Sequence, residues 1–188
     1  MSNPRLALND FFVSVQAKAL KQTIVAVHNK DEAMDIVQDA MIKLAENYSQ
    51  QEVDWPKLFQ RILQNKIRDY FRKKKVRSII VWWNQHQDEN ENDPDLGELE
   101  SHQGGSVNQA LEPDKQHQSI QTIEEITAAV ADLPLRQQQA FLLRAWWGHD
   151  VEETAYAMSC STGSVKTHYS RAISKLKECL GDFSYEPQ

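Results

Sequence analysis

The sequence predicts an all-α protein made of two small helical domains joined by a flexible acidic linker. Three observations carry this prediction. Apolar residues recur at three- and four-residue steps in two parts of the chain, no useful strand-like alternation appears, and the stretch between the two parts is acidic and aperiodic. The chain has 188 residues, which allows one ordinary domain or two small ones. We expect a first domain at 5–77, a linker at 78–120 and a second domain at 121–181.

The first domain contains two regular apolar helix faces. The earlier face is formed by Ala33, Ile36, Val37, Ala40, Met41 and Leu44. The later face is formed by Trp55, Leu58, Phe59, Ile62, Leu63, Ile67, Tyr70 and Phe71. A less regular pattern predicts a further helix around residues 6–28. Together these helices predict an all-α bundle.

The second domain starts with a helix predicted from about Pro134, because proline suits the first turn of a helix. Its inner side is predicted to consist of Phe141, Leu142, Ala145 and Trp146. Gly148 is expected to end this helix.

Two N-caps then predict a helix-turn-helix. Asp150 and Glu153 have the spacing of a capping box, which opens a short helix ending near Met158. Ser161 is placed to cap the next helix by accepting from the backbone N–H near Ser164. The buried stripe of that last helix is predicted to be Val165, Tyr169, Ala172, Ile173, Leu176 and Leu180. A short helix, a tight turn and a longer helix are the plan of many DNA-binding domains.

The charge is distributed very unevenly, although the net charge is only −6. Residues 55–77 hold nine basic residues and one acidic residue, a local net charge of +8. Residues 78–120 hold nine acidic residues and one lysine, a local net charge of −8. A phosphate backbone responds to the local field, so the acidic average does not exclude nucleic acid as a ligand.

Two polar surfaces fit nucleic acid. The outward side of the last helix presents Thr162, Ser164, Lys166, Thr167, His168 and Arg171, types that contact phosphates and base edges. The basic segment carries an outward stripe at four-, three- and four-residue steps, formed by Arg61, Asn65, Arg68 and Arg72, and it continues into Lys73. Cations follow phosphates, and an amide can engage exposed bases. A solvated helix face without DNA is the alternative for each surface.

A third surface is acidic. Asp31, Asp35 and Asp39 recur every four residues on one helix face, where like charges repel. A divalent metal, a basic protein partner and a plain solvated face are the three possible explanations. Because no histidine or further acid converges on this face in the sequence, a metal-dependent nucleic-acid enzyme is the weakest of them.

The remaining composition predicts an ordinary cytoplasmic protein. Cys160 and Cys179 do not form a disulfide framework, and with His168 they fit no common zinc spacing. The N-terminus lacks the order of a signal peptide, and no segment approaches the roughly 20 apolar residues of a membrane-spanning helix. We expect no cofactor, no metal and no small-molecule substrate.

Two segments together resemble one family. DEAMDIVQDAMIKLAENY (31–48) with WPKLFQRILQNKIRDYFRKKK (55–75) resembles region 2 of bacterial sigma-70 factors. Residues 133–180 resemble region 4 of the same factors. Two regions in this order, with no other domain, are typical of the small extracytoplasmic-function group. The resemblance covers about 120 of the 188 residues.

The resemblance implies a non-enzymatic sigma factor, which binds core RNA polymerase, directs it to −35 and −10 promoter elements and assists promoter melting. It assigns core polymerase binding, through the β′ clamp helices, to Asp35, Gln38 and Asp39, and this accounts for the acidic face without a metal. The β flap of the polymerase and an anti-sigma factor are the other protein partners that it implies.

The promoter contacts also follow from the resemblance. The −10 element would be read by Arg61, Asn65, Arg68, Arg72 and Lys73. The −35 element would be read by Ser164, Lys166, Thr167, His168 and Arg171. The loop Ser49–Asp54 would hold a flipped base of the non-template strand.

Three positions depart from the family pattern. His168 stands where arginine is common, so the −35 preference does not transfer. Ser159 stands where the turn often has glycine, and a left-handed backbone there would cost on the order of 1 kcal/mol. The loop before Trp55 is shorter than usual. The alternatives are a stand-alone helix-turn-helix regulator, which would leave the acidic face unexplained, and the metal-dependent enzyme.

Overall fold

The structure is a computed structural model, and it describes residues 4–48, 54–85 and 116–180. These residues form helices, with no strand among them. The all-α prediction is therefore confirmed. The first unit contains α1 (Pro4–Val27), α2 (Lys30–Tyr48) and α3 (Trp55–Gln85). The second unit contains α4 (Gln116–Ala131), α5 (Leu135–Phe141), α6 (Val151–Met158) and α7 (Thr162–Leu180). None of the described helices is both long and apolar enough to cross a membrane.

The core of the first unit lies where α1, α2 and α3 meet. The two regular apolar faces predicted from the sequence supply most of it, and Phe59, Leu63 and Leu44 are fully buried. Phe11 of α1 meets Phe59 edge-on, with 5.8 Å between ring centroids. Aromatic pairs in this geometry add to the stability that burial provides. The three-helix bundle holds the polar sides of α2 and α3 outward from this core.

Helical structure continues into both ends of the segment expected to be a linker. α3 runs on to Gln85, and α4 begins at Gln116. The sequence analysis predicted no helix between 116 and 131, so α4 is a finding of the structure. Val130, near its end, is buried against α7 in a small core with Leu133 and Leu176. The acidic runs at 88–115 lie outside the described residues.

A π-helical turn, Leu142–Trp146, follows α5 and changes which tryptophan faces inward. The Trp147 N–H donates to the carbonyl of Leu142 at 2.9 Å, five residues back instead of four. Trp146 is 47% exposed and Ala145 is exposed, so their predicted inward positions are wrong. The extra residue in the turn rotates the following side chains, and Trp147 takes the inner position. Gly148 then ends the segment with φ +77°, as predicted.

The two units pack against each other, mainly through α6 on α3 and through α4 on α1, and Trp147, just after the π-helical turn, also contacts α1. The Trp147 indole N–H donates to Gln22 Oε1 at 2.6 Å, and the Lys18 ammonium lies 4.7 Å from the centre of the Trp147 ring. On α3, Lys57 Nζ lies 3.4 Å from Glu153 Oε1. The sequence analysis treated the two units as independent, so this contact was not predicted.

Candidate nucleic-acid interface

The α6–α7 pair has the helix-turn-helix geometry that the caps predict. Asp150 accepts from the Glu153 backbone N–H at 2.8 Å, and the Glu153 carboxylate accepts from the Asp150 N–H at 3.1 Å. Ser159 ends α6 in the left-handed region with φ 52° and ψ 52°. Ser161 Oγ accepts from the Ser164 N–H at 3.1 Å and caps α7. Both predicted caps are confirmed, and the left-handed backbone at Ser159 is a finding of the structure.

Helix α7 turns its predicted DNA-reading residues outward. Val165, Ala172 and Leu176 are buried against α4–α6, which fixes the orientation of the helix. Lys166, Thr167 and Arg171 are exposed, whereas Ser164 and His168 are half-buried. The Thr167 hydroxyl donates to the Gly163 carbonyl at 3.1 Å. A capped helix with two cations and hydroxyls on its outer side suits insertion into a DNA groove.

The basic residues of α3 divide into two groups. Arg72 and Lys73 are exposed, and Arg72 lies 3.2 Å from Asp69 one turn before it. Arg61, Asn65 and Arg68 are half-buried. The structure therefore keeps all five on one helix but does not present all five to solvent. For Arg61, part of this burial comes from Tyr156 of the second unit.

Arg61 and Arg68 face the second unit. The Arg61 guanidinium lies 4.5 Å from the centre of the Tyr156 ring of α6, a cation–π geometry. Arg68 donates to the side-chain oxygen of Asn65. Burial, followed by repulsion from Arg136 of α5, lowers the pKa of the Arg68 guanidinium below its ordinary value. An arginine remains cationic at neutral pH after such a shift, so Arg68 is a partly desolvated positive charge.

A cleft of about 410 Å³ lies beside this part of α3 and is closed on one side by Tyr156. Its charged residues are the cations Lys43, Arg61 and Lys66 and the single acid Asp69, and its amide is Asn65. Tyr48 and Leu58 supply further walls; residues 49–53, the body of the predicted base-holding loop, lie outside the described residues. Positive and aromatic walls are suited to an exposed base with its phosphate.

The acidic face of α2 is exposed as a surface of its own. Asp35, Gln38 and Asp39 all point away from the buried side formed by Ala33, Ile36, Val37, Ala40 and Leu44. Asp39 accepts from Lys66 of α3 at 2.8 Å, and its side chain remains 62% exposed. This ion pair reduces the repulsion among the acids of the face and leaves Asp35 and Gln38 available to a partner.

Within the described ranges, no group of three or more histidines, cysteines, aspartates or glutamates is arranged to hold a metal ion. Asp31, Asp35 and Asp39 follow one another along a single helix instead of converging on a point. The structure therefore offers no support for the metal-dependent alternative. Both cysteines are present as thiols, and burial raises the pKa of Cys160, which lies near Arg136 and Arg68.

The sequence analysis missed the burial of two amides of α3 and the contacts that α6 makes with that helix. Gln60 and Gln64 are 2% and 0% exposed, and Tyr156 and Glu153 of α6 contact Arg61 and Lys57. A signal for this was present in the spacing, since Lys57, Arg61, Gln64 and Arg68 recur at four-, three- and four-residue steps. Such a stripe indicates a polar contact surface, although it does not show what covers it.

Comparison with known proteins gives two findings. Residues 123–176 match the family model for region 4 of sigma-70 factors. The structure is similar to that of the sigma factor RpoE from Bartonella quintana, solved in complex with the anti-sigma factor NepR. The TM-score is 0.64 and the sequence identity 19%, over 94% of this chain and 98% of that chain. No curated protein sequence matches the chain.

The two findings cover different parts of the molecule. The family match identifies the helix-turn-helix unit by its sequence, and the structural similarity extends the same fold over the first unit. Residues 123–176 are therefore similar in sequence to region 4 of sigma-70 factors, and the fold of the chain is similar to that of the sigma factor RpoE.

Proposed function

We propose that this protein is a sigma factor that binds core RNA polymerase, brings it to promoters through −35 and −10 elements and assists promoter melting. The observation that carries the proposal is the combination of a region 4 reading helix with a separate, exposed acidic face on α2. A DNA-binding regulator needs the first and has no use for the second. A polymerase subunit needs both.

The polymerase contact is assigned to Asp35, Gln38 and Asp39. Their side chains are exposed and share one side of α2, opposite the bundle core. Carboxylates on a rigid helix can bind a basic surface, such as the one expected on the β′ clamp helices. A positive side chain placed on this face of α2 would be repelled by that surface. The β flap is the partner proposed for the second unit.

The promoter contacts are assigned to two helices. On α7 the proposed −35 residues are Ser164, Lys166, Thr167, His168 and Arg171, and on α3 the proposed −10 residues are Arg61, Asn65, Arg68, Arg72 and Lys73. Each surface is small, and each alone is expected to bind weakly. Two weak sites held at a fixed spacing by polymerase gain from effective concentration. The linker is proposed to join them in the segment between α3 and α4.

The proposal also includes a cellular location and a regulatory protein partner. We place the protein in the cytoplasm, where polymerase and promoter are found. The structurally similar RpoE was solved with an anti-sigma factor, and this supports an anti-sigma partner here as well. No residue of the described helices identifies that partner.

The test is a polymerase-binding assay with Asp39→Arg. The exposed Lys66–Asp39 pair contributes no more than about 1 kcal/mol to folding, so the variant should stay folded. Affinity for core polymerase should fall more than tenfold, because a positive charge replaces a negative one in the contact. Glu46→Arg is the matched control, an exposed acid two turns further along α2. If Asp39→Arg binds polymerase as well as the control does, the protein is better explained as a stand-alone regulator.

A further inference from the structure

Helix α2 carries two exposed apolar side chains on the same outer face as its acidic residues. Ile42 is 54% exposed and Met34 is 39% exposed, although both side chains are large and apolar. Gln38, which is also exposed, lies midway between them at steps of four residues. Positions four residues apart are neighbours on the surface of a helix. Met34, Gln38 and Ile42 therefore form one row along the outside of α2.

This row runs directly beside the row of carboxylates. Each of its members follows an exposed aspartate by three residues, in the pairs Asp31–Met34, Asp35–Gln38 and Asp39–Ile42. Residues three apart also lie next to each other on a helix surface. The outer face of α2 thus consists of two parallel rows, one of carboxylates and one that is apolar at both ends.

The core of the first unit does not use either of these apolar side chains. Its contribution from α2 consists of Ala33, Ile36, Val37, Ala40 and Leu44, which pack toward α1 and α3. A single exposed apolar residue is ordinary on a protein surface. Two that align with a regular row of charges, on the side away from the core, are typical of a protein–protein interface with an apolar centre and a charged border.

The carboxylates alone are poorly suited to hold a partner firmly. Asp39 already accepts from Lys66 at 2.8 Å, so part of its charge is balanced within the protein. Exposed ion pairs contribute little affinity, and charges at the border of an interface mainly set the orientation and the rate of association. Burial of apolar side chains at the centre is the larger contribution, and ions in solution do not screen it.

We propose that Ile42, together with Met34, is the apolar anchor of the surface that binds core polymerase, while Asp35 and Asp39 orient the complex. The inference rests on the proposed polymerase contact and adds to it the two residues that supply most of the affinity. The complementary surface on polymerase then carries an apolar strip that is bordered on one side by lysine or arginine side chains, which is the chemistry of a basic amphipathic helix.

The test measures equilibrium binding of the full chain to purified core polymerase at about 50 mM and about 500 mM salt. Ile42→Ala removes the anchor from an exposed helical position, and alanine favours the helix, so the fold should be retained. Val13→Ala is the matched control, because Val13 is 68% exposed on α1 and lies outside the face of α2. Asp35→Asn removes one carboxylate and keeps the size of the side chain.

Ile42→Ala should weaken binding roughly tenfold at both salt concentrations, because the lost apolar contact is not screened. Asp35→Asn should weaken binding at the lower concentration and approach the wild type at the higher one. Val13→Ala should bind as the wild type does. Ile42→Leu keeps the apolar volume, so it should retain most of the affinity that Ile42→Ala loses.

Equal affinities of Ile42→Ala and Val13→Ala at both salt concentrations would overturn the proposal, and so would a loss in Ile42→Ala that disappears at the higher concentration. Asp39→Arg, measured beside them, separates this failure from that of the proposed function. If Asp39→Arg weakens binding and Ile42→Ala does not, the polymerase contact stands and the apolar anchor is wrong. If the wild type does not bind polymerase at either concentration, both proposals fail.

A second variant covers the case in which Ile42→Ala does not fold, which circular dichroism would show. Met34→Ala shortens the side chain at the other end of the apolar row. Because Met34 is less exposed than Ile42, its loss should weaken binding by a smaller factor, roughly threefold, again at both salt concentrations. A folded Met34→Ala with the affinity of the wild type would contradict the apolar row as part of the contact.

Discussion

The capping box of α6 gives the most quantitative prediction about the stability of the second unit. Asp150 accepts from the Glu153 N–H at 2.8 Å, at the start of a helix of only eight residues. Asp150→Ala removes this acceptor and a negative charge at the N-terminus of the helix. We expect the free energy of unfolding to fall by about 1 kcal/mol, within a range of roughly 0.5–2 kcal/mol for such caps.

Asp150→Asn separates the two contributions. Asparagine caps helices about as well as aspartate, so this variant should lose only a few tenths of a kcal/mol, the part due to charge. Urea unfolding followed by circular dichroism measures both variants at one pH. If Asp150→Ala loses less than about 0.3 kcal/mol, or if Asp150→Asn loses as much as Asp150→Ala, the cap does not act as described.

Three further predictions concern the same unit. Ser159→Gly should raise the free energy of unfolding by about 0.5 kcal/mol, because relief of the left-handed strain at φ 52° exceeds the added entropy of the unfolded chain; an unchanged or lower value would contradict the strain. Trp147→Ala should cost about 2–3 kcal/mol and Trp146→Ala no more than about 0.5 kcal/mol, measured by urea unfolding, and the reverse order would refute the π-helical turn. The Asp150 backbone N–H, with Lys57 beside it, holds the pKa of Glu153 below its ordinary value. The stability that Glu153 adds is therefore complete above the ordinary glutamate pKa and is lost as pH falls through the lower folded value. Glu153→Gln should unfold with a weaker pH dependence in that acidic range, and an unchanged dependence would show that Glu153 does not contribute.

Much of the architecture could be predicted because it depends on local patterns. The apolar faces of α2 and α3 follow from the helical period, and the caps at Asp150 and Ser161 follow from side-chain chemistry within three residues. The family pattern marked Ser159 as a position where the turn often has glycine, without fixing its backbone conformation. The apolar faces and the caps are determined by neighbours in the sequence.

The features that could not be predicted depend on contacts between residues far apart in the sequence, or on a local change in the helical repeat. The π-helical turn inserts one residue into the helical count, so an analysis with a fixed period places Trp146 inward instead of Trp147. Helix α4 was obscured by the acidic, aperiodic sequence before it. Gln60 and Gln64 are polar and adjacent to cations, and the spacing through Gln64 indicates a contact surface without showing that these amides are buried.

The residues of the candidate site were predicted more completely than their exposure to solvent. The outward positions on α7 and the exposed face of α2 are where the sequence placed them. On α3 the same residues are present, but Arg61 lies against Tyr156 of α6, and both Arg61 and Arg68 are half-buried. Accessibility depends on how the two units pack, and the polar stripe on α3 does not show what covers it.

The most direct test of the central claim is run-off transcription with purified core polymerase on a library of promoter sequences. We expect the full chain to direct discrete transcripts from templates that share two upstream elements at one fixed spacing, and Asp39→Arg to lose them while Glu46→Arg keeps them. Transcript levels no higher than those of core polymerase alone, or selection of a single element without a fixed spacing, would contradict the assignment of this protein as a promoter-specificity subunit.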